Sequence, residues 1–378
     1  MRILIAGAGI SGLAAARGFQ AAGHRVTVLE RAERLRAGGG AITLWPNGVT
    51  VLRDLGVDLT GLGEPLSAVG LLSARGRPVL TIPGKDLEAR LGVPALGVAR
   101  TDLLARLFEG LPDGTVRFGE RFARYVQHGR TVRVETESGA VHDADLLIGA
   151  DGAWSRVRAA AFGANVPKAT GVATVQGLIP SKVELDGRSL MLMGREGDAG
   201  FGPAGDGRVW FFFDVPWPPD GPAGRPLEYL RRRFGGWAWP VGDLLAELTD
   251  DDVQVFPNHR HAIPRRWGRG RCLLIGDAMH VMPPFFAQGT NQALEDVSAL
   301  LRLLEQGEEQ LKRYGPLRRR QTRLAASLAT NGRFVREPLS LVQSEPVLRL
   351  MAATSDSSAT AAVTAILRAT SNRLEIRQ

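Results

Sequence analysis

Nothing restricts this chain more than its first thirty-one residues. Arg2-Ile3-Leu4-Ile5-Ala6 is a short apolar run without turn residues, the pattern of a strand buried on both faces. Gly7-Ala8-Gly9-Ile10-Ser11-Gly12 follows at once. Good helix formers then run from Leu13 to Ala22, and Gly23 stands where a helix ends. Arg25-Val26-Thr27-Val28-Leu29 is a second strand, closing in Glu30. Gly7 permits the tight turn, Gly9 lets backbone approach a pyrophosphate, and Gly12 lets helix and strand pack closely. The helix N-terminus offers unpaired N–H groups and partial positive charge to phosphates. Glu30 lies where a carboxylate accepts hydrogen bonds from the hydroxyls of an unphosphorylated ribose. The alternative is a plain βαβ unit, but strand, glycine turn, helix and acid all agree on a dinucleotide site.

Composition sets the outer bounds. The 378 residues are 44% hydrophobic and 23% charged, a balance suited to a globular chain long enough for two domains. No apolar run is long enough for a transmembrane helix, and the N-terminus reads as a strand rather than a signal peptide. Cys272 is the only cysteine, which excludes an internal disulfide and a cysteine-ligated metal; the expected compartment is the cytoplasm. The net charge of +8 is carried mainly by scattered arginines. The densest group, Arg318-Arg319-Arg320 with Arg323, has no interleaved aromatics, so a nucleic-acid partner is not expected.

Further along, Gly38-Gly39-Gly40 precedes Ala41-Ile42-Thr43-Leu44 and a helix over 49–55. Short β segments are expected over 66–98, and a helix from Thr101. Val116-Arg117-Phe118, 122–126 and 132–136 read together as a β meander. An apolar strand then ends in Asp151-Gly152. Strands are expected at 174–179, 189–193, 209–215 and 253–263. In Trp210-Phe211-Phe212-Phe213, one alternate face is expected to line a pocket, either Trp210 and Phe212 or Phe211 and Phe213, unless the run is simply core. Gly197-Asp198-Ala199-Gly200-Phe201-Gly202 has glycines without a strand-turn-helix context. Arg271-Cys272-Leu273-Leu274-Ile275 ends in Gly276-Asp277, ahead of a loop with Pro284 and Phe285 and a helix over 292–304.

Three apolar strands thus end in Glu30, Asp151 and Asp277, which suggests a long cofactor lying across the sheet edge. At these residues the chain resembles the single-component flavoprotein aromatic hydroxylases, the p-hydroxybenzoate hydroxylase-like family. The resemblance spans roughly Met1 to Arg320. Gly7 to Gly12 with Glu30 is similar to its ADP-binding fingerprint, and the segment from Asp145 through Asp151-Gly152 to Arg158 to its Asp-Gly motif. Gly276-Asp277-Ala278-Met279-His280, with Pro284, Gln288-Gly289 and Asn291, resembles its second FAD motif. Locally, 41–49 and 211–216 look closest to flavin-dependent urate hydroxylases. An expected arginine is missing from 200–203 and Trp210 replaces an expected tyrosine, which argues against urate itself.

The resemblance implies an α/β fold: a Rossmann-like FAD-binding domain (1–65, 98–165 and 264–330) with an inserted β-sheet substrate domain (66–97 and 166–263) and a C-terminal helical segment (331–378). It implies FAD contacts at Gly7, Gly9, Ile10, Ser11, Gly12, Glu30 and Arg31 near the adenosine and phosphates. Thr43, Arg100, Phe122, Asp151, Gly152 and Asp277 follow along the cofactor, Asp277 at the ribityl chain. Pro284, Ala287, Gln288, Gly289, Thr290 and Asn291 would support the flavin ring. Ala287 stands where the family usually has glycine, and alanine tolerates positive φ poorly. Trp210, Phe212, Pro284 and Phe285 are the expected substrate contacts.

The implied reaction uses NADH or NADPH to reduce FAD. Oxygen then adds at flavin C4a, and the hydroperoxide transfers one oxygen atom to an aromatic or polycyclic small molecule, a biosynthetic metabolite such as a polyketide or alkaloid. No catalytic base is identified. His280 reads as structural, and His259 with His261 lacks a third ligand, so no metal is expected. A flavin halogenase is disfavoured because Trp237-Ala238-Trp239-Pro240 lacks the right companion spacing. The competing readings are a flavin oxidase or dehydrogenase and a non-enzymatic flavin-binding protein. A monomer or homodimer acting on a small aromatic substrate and O2 is expected, without a membrane partner.

Overall fold

The computed structural model describes residues 1–35, 38–163, 166–218, 221, 224–261, 263–284, 286–331 and 356–374. Its first sheet has six strands in the order Gly268–Arg269, Cys272–Leu274, Leu146–Gly149, Arg2–Ala6, Arg25–Glu30, Val116–Phe118. All neighbours run parallel except the first pair. Ile3, Leu4, Ile5, Leu147, Ile148 and Leu274 are buried, as the apolar runs require of strands covered on both faces.

Close backbone approach shapes the centre of this sheet. Gly7 has φ +107°, and a Cβ there would lie 2.5 Å from the Ala150 carbonyl oxygen. A Cβ on Gly12 would run into the Gly7 carbonyl. The helix Ile10–Ala21 therefore sits directly on its strand, and it packs on its other side against the helix Gln288–Glu305.

Val116–Phe118 corrects the meander expected from sequence. It pairs with Val28–Glu30 at the edge of the parallel sheet, while the meander proper is Phe122–His128, Thr131–Thr136 and Val141–Ala144. Val28 N–H donates to Thr115 O, and Gly119 (φ +74°) turns the chain out of the sheet before the meander begins.

The second sheet has seven strands: Gln254–Arg260, Lys168–Pro180, Arg208–Pro216, Gly197–Pro203, Arg188–Gly194, Ala68–Ser73 and Pro78–Pro83. Gly197–Pro203 was not expected to be a strand, since glycine weakens isolated strands. Here its glycines make room for rings on the next strand. A Cβ on Gly202 would lie 2.5 Å from Trp210 Cζ2, and one on Gly200 would overlap the Phe212 ring. Phe211 and Phe213 point the other way into a core with Phe201 and Phe234.

A three-stranded antiparallel patch lies at the seam of the two sheets: Ala41–Leu44, Leu96–Ala99 and Glu64–Pro65. A Cβ on Gly97 would strike the Pro203 carbonyl, so this patch touches the glycine-rich strand through backbone. The helix Gly84–Leu91 is a further departure from the all-β reading of that region; its left-handed Gly92 cap stops it. Of the helical segment expected over 331–378, Asp356–Ala369 is a helix, and 332–355 and 375–378 lie outside the described residues. Among the described residues no helix is long and apolar enough to cross a membrane.

Glycine at 202 is thus a packing requirement. Gly202→Val should lower stability by about 1–3 kcal/mol through displacement of the Trp210 ring. Thermal unfolding of the variant tests this, and an unchanged melting temperature would contradict the packing described.

Candidate active site

A cleft opens at the carboxyl ends of the parallel strands and runs to the aromatic face of the second sheet. One part, of about 570 Å³, is lined by Gly7, Gly9, Glu30, Arg31, Phe122, Asp151, Gly152 and Asp277. The next, of about 400 Å³, is lined by Gly9, Ile10, Ser11, Thr43, Arg100, Gly152, Asp277, Pro284, Ala287, Gly289 and Thr290. Trp210 and Phe212 form its far wall with Thr174, Gln176 and Asp214. Gly9, Arg100, Ala150, Gly152 and Asp277 belong to both parts, so the cleft is continuous. Phe285 lies outside the described residues.

The three strand-end acids have different local surroundings. Glu30 accepts from Ala8 N–H at 2.8 Å and Ala32 N–H at 2.9 Å, which fixes its carboxylate on the cleft wall. Asp151 Oδ2 accepts from Arg156 N–H at 2.7 Å and Val157 N–H at 3.1 Å, the first two N–H groups of the helix Arg156–Phe162, whose N-cap is Ser155. Burial raises its carboxyl above the usual range despite those bonds. Asp277 follows Gly276, whose φ of +58° turns the strand end into a four-residue helix. Its carboxyl opens to the cleft, and no described residue hydrogen-bonds it. The protein packed around its other sides raises its pKa, against the pull of His280, Arg100 and His261.

The loop before Gln288–Glu305 is held from behind. Ala287 has φ +48° and ψ +30°, a left-handed conformation that costs a non-glycine residue about 1–2 kcal/mol. Ala287 N–H donates to Pro284 O at 2.7 Å, and Ala287 O accepts from Asn291 Nδ2 at 2.7 Å. Asn291 Oδ1 also accepts from Trp45 N–H at 3.0 Å, and the Trp45 indole donates to Phe286 O at 3.1 Å. Gln288 Oε1 accepts from Gln292 Nε2 at 3.2 Å in the interior. The side chains of Gln288 and Asn291 therefore turn away from the cleft and hold the loop, while Gly289 and Thr290 face it. Gly12 is likewise a packing residue rather than part of the wall.

One acid that the sequence reading did not single out is central. Asp296 is fully buried, with Oδ2 accepting from Gly276 N–H at 2.8 Å and facing His280 Nε2 at 2.6 Å. Its Oδ1 accepts from Arg318 Nε at 2.7 Å. Burial pushes the carboxyl pKa up, but His280 and Arg318 outweigh it and hold the group below the usual carboxylate range. His280 is thus committed to Asp296 and lies at a tilt against Trp267, with ring centroids 5.6 Å apart. His261 Nε2 lies 2.9 Å from Ala153 O, and His259 packs edge-on to Trp154. Among the described residues no group of three or more histidine, cysteine or acidic side chains can hold a metal.

Trp210 and Phe212 stack in parallel, with an interplanar angle of 2° and centroids 6.1 Å apart, on the cleft side of their strand. Thr174, Gln176 and Asp214 share that face. The wall is consequently aromatic with a polar border, less apolar than the strand sequence alone suggested.

Residues 1–325 match the FAD binding domain family. The chain belongs to the FAD-dependent aromatic monooxygenase family. It is 34% identical over 330 residues to 3-amino-4-hydroxybenzoate 2-monooxygenase of Streptomyces cremeus, covering 84% of this chain and 83% of that one. It is 31% identical over 308 residues to the FAD-dependent urate hydroxylase of Klebsiella oxytoca, covering 79% and 80% respectively. The structure of Klebsiella pneumoniae HpxO complexed with FAD and uric acid superposes with a TM-score of 0.91 at 26% identity, covering 98% of this chain and 97% of that chain. The enzyme is therefore an FAD-dependent monooxygenase with the p-hydroxybenzoate hydroxylase-like α/β fold.

The cleft fits FAD by its own chemistry. A Cβ at Gly9 would meet nothing within 4 Å, which leaves open space at the N-terminus of Ile10–Ala21. Beyond that opening stand the Glu30 carboxylate, fixed by two backbone N–H groups, and the Asp277 carboxyl, to which no described residue hydrogen-bonds.

The Asp296 hub carries a pH-dependent stability. Its carboxyl is depressed in the fold, so its contribution is present above an unfolded pKa of about 3.9 and lost as pH falls through the folded value. Asp296→Asn should cost about 3–5 kcal/mol at pH 7, since buried charges lose their partner. The gap from wild type should shrink below about pH 4. Chemical denaturation across pH tests both statements; equal stability at pH 7, or a gap that ignores acid, counts against the hub.

Proposed function

We propose that this enzyme uses NADH or NADPH to reduce FAD and transfers one oxygen atom from O2 to a planar aromatic or polycyclic small molecule of biosynthetic origin. The observation that carries this reading is the parallel Trp210–Phe212 wall closing a cavity of about 400 Å³ that continues from the dinucleotide cleft. In this reading Gly9, Ile10 and Ser11 receive the pyrophosphate at the helix N-terminus, and Glu30 accepts from the adenosine ribose. Asp277 accepts from the ribityl hydroxyls, and Gly289 with Thr290 present the N-terminus of Gln288–Glu305 to the ring. Bound FAD supplies the redox chemistry and the activation of oxygen.

The chain's own part is to bind, orient and exclude water. Gly200 and Gly202 allow Trp210 and Phe212 to lie flat, which favours a flat ligand against them. Pro284 and Met282 border the same cavity and shield the reacting edge. Arg100 lines both parts of the cleft and supplies positive charge between the ribityl region and the aromatic wall. The 26% identity to the uric-acid complex does not extend urate to this chain, because Trp210 and Gly200 to Pro203 present no arginine at the wall.

Candidate aromatics are first screened for stimulated NAD(P)H oxidation, and the best is turned over under ¹⁸O-labelled oxygen. One labelled atom in the organic product is expected. An oxidised product without label would instead make the enzyme an oxidase or dehydrogenase.

A further inference from the structure

On the cleft face of the second sheet one side-chain amide has no hydrogen-bond partner among the described residues. Gln176 lies on Lys168–Pro180, paired across the strands with Phe212 on one side and Gln254 on the other. Directly paired residues share a face, so Gln176 stands beside the aromatic wall. The Phe212 ring leans the other way, over Gly200 on the next strand, and does not cover the amide. Gly40 supplies the facing surface. A Cβ there would lie 3.2 Å from Gln176 Nε2, 3.3 Å from Cδ and 3.7 Å from Oε1, so the flat amide rests against backbone and carries its nitrogen and oxygen at the edge. Gln176 borders both the cavity of about 400 Å³ and the outer hollow lined by Gly38, Gly39, Gln254 and Phe256. The amide of Gln292, in contrast, is tied inward to Gln288 Oε1 and Thr370 O. A planar ligand stacked on Trp210 and Phe212 would meet the Gln176 amide with its rim.

We propose that Gln176 determines specificity: it selects planar aromatic substrates that carry a ring N–H next to a ring carbonyl, the cyclic-amide edge that pairs with a carboxamide through two hydrogen bonds. The inference rests on the reading of this cavity as the substrate site. A primary amide holds an acceptor and a donor side by side, and a ligand that covers both without matching them leaves each unpaired. Rotation about the last side-chain bond of glutamine is roughly two-fold, so the amide meets the cyclic pair in either order. A site that hydrogen-bonds a substrate N–H rejects the analogue lacking it far more strongly than an apolar wall rejects a change of size.

The test measures binding of quinolin-2(1H)-one, coumarin and naphthalene to the FAD-loaded enzyme through the flavin absorbance. Coumarin has nearly the shape of the quinolinone and keeps its carbonyl, but a ring oxygen replaces the N–H. The wild type is expected to bind the quinolinone roughly tenfold or more tighter than coumarin. Gln176→Leu should bring the two within about threefold of each other, with FAD retained and naphthalene bound no more weakly. A folded, FAD-loaded variant that keeps the wild-type preference overturns the role of Gln176. Should Gln176→Leu not fold, Gln176→Met, unbranched and close in length, makes the same comparison. Equal binding of quinolinone and coumarin by the wild type overturns the proposal without any variant, while leaving the cavity as the substrate site. Failure of every ring to perturb the flavin overturns the cavity reading itself, and the proposal with it.

Discussion

A single buried carboxylate, Asp296, holds together the parts of the fold that make the cleft. It receives the Gly276 N–H, faces His280 and pairs with Arg318, so the strand-end turn, the short helix Asp277–His280 and the helix from Tyr314 all converge on Gln288–Glu305. Arg318 adds bonds to the Gln292 carbonyl and side chain at 3.1 and 2.7 Å. Taking these charges out of water is expensive, and the cost is tolerable only because each oxygen is engaged. The functional consequence is geometric. Asp277 and the Gly289–Thr290 helix start approach the cleft from two elements, and Asp296 fixes one relative to the other. The same helix binds the C-terminal segment through Glu295, which accepts from the Ser371 hydroxyl and from Asn372 N–H at 2.8 Å.

Glycine serves the cleft in two unlike ways. At Gly7 and Gly12 it brings backbone against backbone, which aims the start of Ile10–Ala21 at the cleft. At Gly200 and Gly202 it removes side chains beneath two rings, which turns an ordinary strand into a flat aromatic wall. Ala287 is the opposite case: a methyl group sits at a left-handed position, and the bonds from Pro284, Asn291 and Trp45 around that loop keep it there.

Much of the dinucleotide half was legible in the sequence because its signals are local. A fully buried strand, a glycine turn and a helix need no distant partner to be recognised, and Glu30 and Asp277 stand at the cleft at the strand ends so marked. Other features depend on partners far along the chain. Val116–Phe118 reads as part of a meander until Arg25–Glu30 is seen to lack an edge neighbour, and Gly197–Pro203 reads as loop until Trp210 and Phe212 are seen to need its glycines. The alternation in the aromatic run offered two faces, and only the core formed by Phe201 and Phe234 assigns Phe211 and Phe213 inward. Asp296 escaped notice because an acid on an amphipathic helix normally faces water. The side-chain directions of Gln288 and Asn291 were equally invisible, since both depend on 43–47 packing behind the loop.

In the proposed arrangement FAD lies along this cleft with its ribose at Glu30 and its ribityl chain at Asp277. The most direct measurement is the FAD dissociation constant of Glu30→Ala and Asp277→Ala beside the wild type. Loss of a charge-assisted hydrogen bond of about 1.5–3 kcal/mol weakens binding roughly ten- to hundred-fold, and both variants should purify largely without the yellow flavin spectrum. Wild-type FAD affinity in both folded variants would contradict the placement of the cofactor.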